Sequence, residues 1–216
     1  MKMKLLGVVA LAAFALAGPV HAGEILSNLP GTGSGTGTNL GVGTDLADRT
    51  KGVGLTTGSV DLLFESMVAL ISNPDAARQL SGGIYSSSLG NPDALLASFT
   101  PVGIAVNFGP AEVMLTLGAA FTLQANTSYW FVLDGPSSTN SLLWQTLNPN
   151  IAPTATGVTF DGYRFSSDGG LNWGSSSLFN GVTINAQTFG QVPEPGTLAL
   201  LGLGLAGLGL SRRRKA

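Results

Sequence analysis

The sequence predicts an all-β protein, an antiparallel β-sandwich of jelly-roll type, flanked at each end by an apolar segment that stands outside the fold. Three observations predict it. Short β-compatible runs recur at roughly 10-residue spacing through the middle of the chain. Turn signals separate them: Asn-Pro-Asp-Ala at 73–76 and again at 91–94, then Asp161-Gly162 and Asp168-Gly169-Gly170. No helical period appears between the termini.

The first segment precedes that fold. Lys2 and Lys4 make a short positive start, Leu5 to Ala17 is an apolar run, Gly18 and Pro19 break it, and Val20-His21-Ala22 ends in small residues. The run is short for a bilayer crossing, which takes about 20 residues. The order of parts predicts a signal peptide over 1–22, handed to the secretion machinery and cut by signal peptidase between Ala22 and Gly23. An uncleaved anchor helix is the competing reading; the helix breaker before the small residues counts against it.

Residues 23–44 read as a Gly/Thr-rich lead-in, flexible or an irregular first strand, because 31–43 is GTGSGTGTNLGVG. The domain proper is expected over 45–190. From Val60 to Ile71 one alternate set is Val60, Leu62, Phe64, Val68 and Leu70, which predicts a strand with one buried face. The two Asn-Pro-Asp-Ala segments read as reversals bracketing a strand over 78–88, with a short helical turn at either Pro-Asp-Ala as the competing reading. Val113–Leu117 and Phe121–Leu123 are short strand candidates. Tyr129 to Leu133 is continuously apolar and predicts a central strand covered on both faces. Runs at 141–145, 158–160 and 182–186 complete the set, with turns expected at Asp161-Gly162 and Asp168-Gly169-Gly170.

The last segment has three parts. Val192 to Gly196 contains Pro193-Glu194-Pro195, whose prolines fix φ, donate no hydrogen bond and favour an extended backbone. Residues 197–211 hold a 13-residue run without a polar side chain, Leu198 to Leu210, a membrane-crossing helix at the lower length limit. Gly202, Gly204, Gly207 and Gly209 give it a smooth surface for close helix approach. Arg212, Arg213, Arg214 and Lys215 follow in the basic tail 212–216, which the positive-inside rule holds in the cytoplasm. In physical terms this is a tail anchor. The tripartite order over 192–216 also resembles the PEP-CTERM sorting signal of Gram-negative bacteria. That resemblance implies an integral-membrane cysteine protease, the exosortase, that reads Pro193, Glu194 and Pro195 as substrate residues. The helix is then a temporary membrane stop, removed with the tail.

Composition excludes several chemistries. The formal net charge is −2, but most basic residues sit at the two ends. Between residues 23 and 191 only Arg49, Lys51, Arg78 and Arg164 are basic, against eleven acidic residues, a balance of −7 that disfavours nucleic acid. There is no cysteine, and the single histidine, His21, leaves with the signal peptide. Disulfides, thiolate chemistry, Ser-His-Asp catalysis and the usual zinc ligands are thereby removed, and no cofactor is expected.

Three weaker chemistries are weighed against packing. Glu65, Glu112, Asp134, Asp161 and Asp168 are candidate carboxylates for a hydrolase, which needs two acids across one cleft; three of them are Asp in Asp-Gly turns, which turn formation explains better. Asp161 and Asp168 lack the alternating spacing of a calcium loop. Trp130 reads as core; Trp144 and Trp173 are the pair that a carbohydrate-binding module would expose.

A second resemblance covers 45–190. Phe121-Thr122-Leu123 through Asn126-Thr127-Ser128-Tyr129-Trp130, followed by Trp144, Ser167-Asp168-Gly169-Gly170 and Trp173, is similar to the choice-of-anchor domains, β-rich extracellular modules whose relatives carry different C-terminal anchors. It implies no catalytic residue. The expectation is a non-enzymatic surface or extracellular-matrix protein, associated with biofilm exopolysaccharide; a carbohydrate-binding module is the alternative and a secreted hydrolase the third reading.

Overall fold

The computed structural model describes residues 23–43, 45–73, 77–135 and 142–188. The signal peptide and the whole sorting segment, with Pro193, Glu194, Pro195 and the Arg212–Lys215 tail, lie outside the described residues. So does Ala22, whereas Gly23 begins the first strand.

The described residues are all-β, with antiparallel ladders. In chain order the strands are β1 (Gly23–Ser27), β2 (Gly33–Val42), β3 (Asp48–Thr57), β4 (Leu62–Asn73), β5 (Arg78–Ser88), β6 (Asn91–Ser98), β7 (Val102–Ile104), β8 (Phe108–Leu115), β9 (Phe121–Leu123), β10 (Ser128–Asp134), β11 (Leu142–Leu147), β12 (Thr154–Ala155), β13 (Val158–Ser166), β14 (Gly174–Ser176) and β15 (Val182–Thr188). Hydrogen bonds join ten of them into one continuous path, β12-β1-β15-β4-β11-β2-β3-β10-β5-β6, that folds over on itself, with β7, β8, β9, β13 and β14 branching from it. In the first layer β4 is central, with β15 and β11 along one edge and β9 and β8 along the other. In the second, β3 lies between β10 and β13, and β5 lies beyond β10. β2 pairs with β11 along most of its length and then with β3 at Gly41–Val42, and so carries the chain from one layer to the other.

The core lies between the layers. Phe64 of β4 meets Phe131 of β10 at a ring separation of 5.6 Å, and Trp144 of β11 meets Tyr163 of β13 at 5.8 Å. Such tilted aromatic pairs add about 1 kcal/mol each to the area they bury. With no disulfide to constrain the unfolded chain, this apolar contact carries the stability.

Four expectations need correction. First, of the two readings of the glycine-rich opening the strand holds and the flexible lead-in does not: β1 and β2 are built into the sheet, and Leu26 and Leu40 are fully buried in the core. Second, alternation fails midway along β4. The pairing slips at Glu65, so Leu62 and Phe64 face the core before the slip, and Met67, Ala69 and Ile71 after it. A bulge adds one residue and reverses the face of every side chain beyond it; Val68 therefore leaves the expected set, and Val60 is 52% exposed. Third, Asn91-Pro92-Asp93-Ala94 is not a turn. The reversal falls at Leu89-Gly90, both at positive φ, and 91–98 is strand β6. β6 ends the path, and only such an edge strand tolerates a proline. Fourth, Asp161-Gly162 is a bulge inside β13, opposite Leu55 and Gly54, with Gly162 at φ 98°.

Candidate functional site

The described domain begins and ends at one place. Gly23 of β1 pairs with Ala186 of β15, and β15 finishes at Thr188, two residues further on. Gly23 and Glu24 are exposed.

The candidate carboxylates are dispersed. Asp161 accepts a hydrogen bond from the Thr56 hydroxyl at 2.7 Å. Asp168 accepts from the Asn172 side chain at 2.7 Å, the Asn172 backbone at 2.9 Å and Ser166 Oγ at 2.7 Å. These bonds, the Asn172 side chain foremost, hold its carboxyl at about 2, so Asp168 closes a turn, with Gly169 and Gly170 at positive φ. Burial pushes Asp134 up to about 6, opposed by a bond from the Gly135 backbone and aided by the charge of Asp48. Glu65 sits at the β4 bulge. Glu112 lines a cleft of about 280 Å³ on the first layer, together with Glu24, Val68, Thr183 and Asn185; none of the other four candidates lines it. Among the described residues no group of three acids or histidines is placed to hold a metal ion.

The tryptophans divide differently from the exposed-pair reading. Trp144 is fully buried, and its indole N–H donates to the Gly181 carbonyl at 2.9 Å. Trp173 is half-buried beside Gly170. The pair Trp144–Trp173 therefore presents no sugar-stacking platform. Trp130 is buried, as read, but on the outer face of the second layer. It lies across Gly54, where an added Cβ would stand 2.7 Å from its ring, under the Arg164 guanidinium at 5.3 Å from the ring centre.

The feature that sequence reading passed over is Lys51. It lies on β3 with 1% of its surface exposed. Its Nζ donates to the Leu178 carbonyl at 2.9 Å and to Thr38 Oγ1 at 3.1 Å, and stands 5.2 Å from the centre of the Tyr163 ring. Burial lowers its pKa to about 7. The nearest carboxylate in sequence register cannot reach it: Lys51 pairs with Leu133, so Asp134 falls one residue on and on the opposite face. Thr38 and Leu178 also line a cleft of about 290 Å³ with Gly37, Asn39, Arg49, Phe165, Ser175 and Ser176. The signal available in the sequence was Lys51 itself, the single lysine between residues 5 and 214.

The comparison with protein families falls on the far end of the chain. Residues 191–215 match the model of the PEP-CTERM protein-sorting motif. The chain carries a PEP-CTERM sorting signal. The match includes Pro193, Glu194, Pro195, the glycine-rich apolar run and all four terminal cations. A PEP-CTERM signal marks an exported precursor held at the membrane, with an exosortase as its processing partner. Neither the curated proteins nor the solved structures hold a match to the chain.

Proposed function

We propose that the PEP-CTERM precursor delivers a non-enzymatic β-sandwich to the cell surface or extracellular matrix of a Gram-negative bacterium, where it associates with exopolysaccharide. The observation that carries the reading is the match at 191–215 behind an N-terminal export signal. Export runs through the secretion machinery and signal peptidase, the C-terminal helix holds the precursor in the membrane, and the exosortase takes Pro193, Glu194 and Pro195 as its substrate strand. The domain has the character of a choice-of-anchor module, a scaffold rather than an enzyme. Its support is the use of two candidate carboxylates in holding the fold: Asp161 takes the Thr56 hydroxyl from the neighbouring strand, and Asp168 closes its own turn through Ser166 and Asn172.

Processing is tested by mass spectrometry of the exported product. The expected first residue is Gly23, and the Arg212–Lys215 tail is absent. Glu194→Ala is expected to leave a larger, membrane-retained form. Normal maturation of that variant would overturn the sorting role of the motif. The matrix role is tested by fractionating cells before and after polysaccharide digestion: the mature protein is expected to leave the matrix fraction on digestion, and a protein free in the medium throughout would overturn it.

A further inference from the structure

We propose that the cleft between β2 and β14 binds a uronate, a sugar ring bearing a carboxylate, with Lys51 supplying the opposite charge from beneath its floor. The inference rests on the matrix reading above and names the chemistry that one site would recognise.

The charge argument comes first. Taking an ammonium out of water without a counter-ion costs several kcal/mol, yet β3 places Lys51 on the inner face. The groups that the structure sets against it come from several elements: the Thr38 hydroxyl from β2, the Tyr163 ring from β13, the Leu178 carbonyl from the loop before β15, and its ladder partners Leu133 of β10 and Phe165 of β13. Burial holds the Tyr163 phenol well above its ordinary value, so it stays neutral, and its hydroxyl donates to the Asn180 carbonyl at 2.7 Å. The one other cation at the cleft, Arg49, is already neutralised by a bidentate pair with Asp45. Lys51 is thus a cation whose described contacts are all neutral, lying directly behind Thr38 and Leu178, which form part of the cleft surface.

The lining fits a sugar. Thr38, Asn39, Ser175 and Ser176 present hydroxyl and amide groups, while Phe165 and Leu178 present apolar surface. A pyranose has the same division between hydroxyl edges and a C–H face. A volume of about 290 Å³ is at the small end for ligand sites and admits a single ring rather than a long chain. The cleft is also at the free end of the domain. β3 runs from Arg49 at the cleft to Thr57, a rise of roughly 26 Å, and five residues later β4 starts at Leu62, opposite Thr188. Gly23 and Thr188 are therefore at the end remote from the cleft. A carboxylate in the cleft favours the charged form of Lys51, so binding and protonation reinforce each other.

The experiment is calorimetric titration of the full chain in detergent micelles with glucuronate, glucose and acetate, at pH 6 and pH 9. Glucuronate is expected to bind in the millimolar range at pH 6, at least tenfold more weakly at pH 9, and with proton uptake at pH 8. Lys51→Met is expected to weaken binding at least tenfold and to remove the pH dependence. Ser175→Trp fills the cleft without touching Lys51 and is expected to weaken binding equally with an unchanged melting temperature. Absence of glucuronate binding, equal binding of glucose or acetate, or binding unaffected by Ser175→Trp would each overturn the site. The matrix reading fails separately: wild-type protein found free in the medium throughout sinks that reading, whereas matrix association without glucuronate binding sinks only the cleft.

Discussion

Strands β3 and β10 lie side by side at the centre of the second layer, paired from Thr50–Asp134 to Thr56–Ser128, and they reach the same burial by opposite means. β10 brings bulk: Tyr129, Trp130, Phe131, Val132 and Leu133 are all buried. β3 gives way: Gly52 and Gly54 alternate with Val53 and Leu55, and Trp130 occupies the space above Gly54. The outer face of the layer is therefore one shape assembled from two sequences, a large ring and the missing side chain beneath it. Such complementarity follows from cores packed as densely as organic crystals. The strands also oppose each other in charge: β3 buries a base toward the core, and β10 half-buries an acid on the other face.

Removing the bulk breaks the comparison most severely. Trp130→Ala leaves a void over Gly54 and strips the ring from beneath Arg164; a loss of about 3–5 kcal/mol is expected in denaturant unfolding. The next effect is in pH. The folded pKa of Lys51, about 7, is below its ordinary value of 10.5. Between those values the unfolded chain holds a proton that the folded chain lacks, so stability rises with pH from about 7 to 10.5, by roughly 4 kcal/mol. Lys51→Met should flatten that rise, which melting temperatures at pH 7 and pH 10 would reveal. Filling the gap from the other side comes third. Gly54→Val drives a branched side chain into Trp130, and a loss of about 2 kcal/mol is expected, with a shifted tryptophan emission maximum. The smallest effect belongs to Asp134, whose folded value of about 6 is above its ordinary value of 3.8. There the folded state retains the proton longer, so stability falls as pH rises from about 4 to 6, on the order of 2 kcal/mol. Asp134→Asn should remove the fall; an unchanged profile in that variant would separate the acid from the pH response.

The pair also shows what made parts of the fold legible. β10 was readable because five consecutive apolar residues suit a strand covered on both faces. β3 was not, because Lys51-Gly52-Val53-Gly54 lacks both apolar alternation and β-propensity; its glycines make sense only once Trp130 lies over them. The same holds for Glu65, where one inserted residue turned a correct strand into an incorrect list of core residues. Asp168-Gly169-Gly170 was readable as a turn because its preference is local, in its own backbone and side chain. The cleft was not readable, since Thr38, Lys51, Ser175 and Leu178 meet only through strand pairing across long stretches of chain.

By itself the sequence determined the C-terminal sorting signal and the all-β class. Those properties reside in contiguous residues: a proline-bounded motif ahead of an apolar run and a basic tail, and local turn and strand preferences. The tertiary structure alone decided which faces are buried, where the alternation slips, that the glycine-rich opening belongs to the sheet, and that Lys51 is buried at a cleft with its neighbouring acid turned away. The physical reason is register: a side chain's surroundings in a sheet depend on partners distant in sequence, and a single-residue slip exchanges core for solvent.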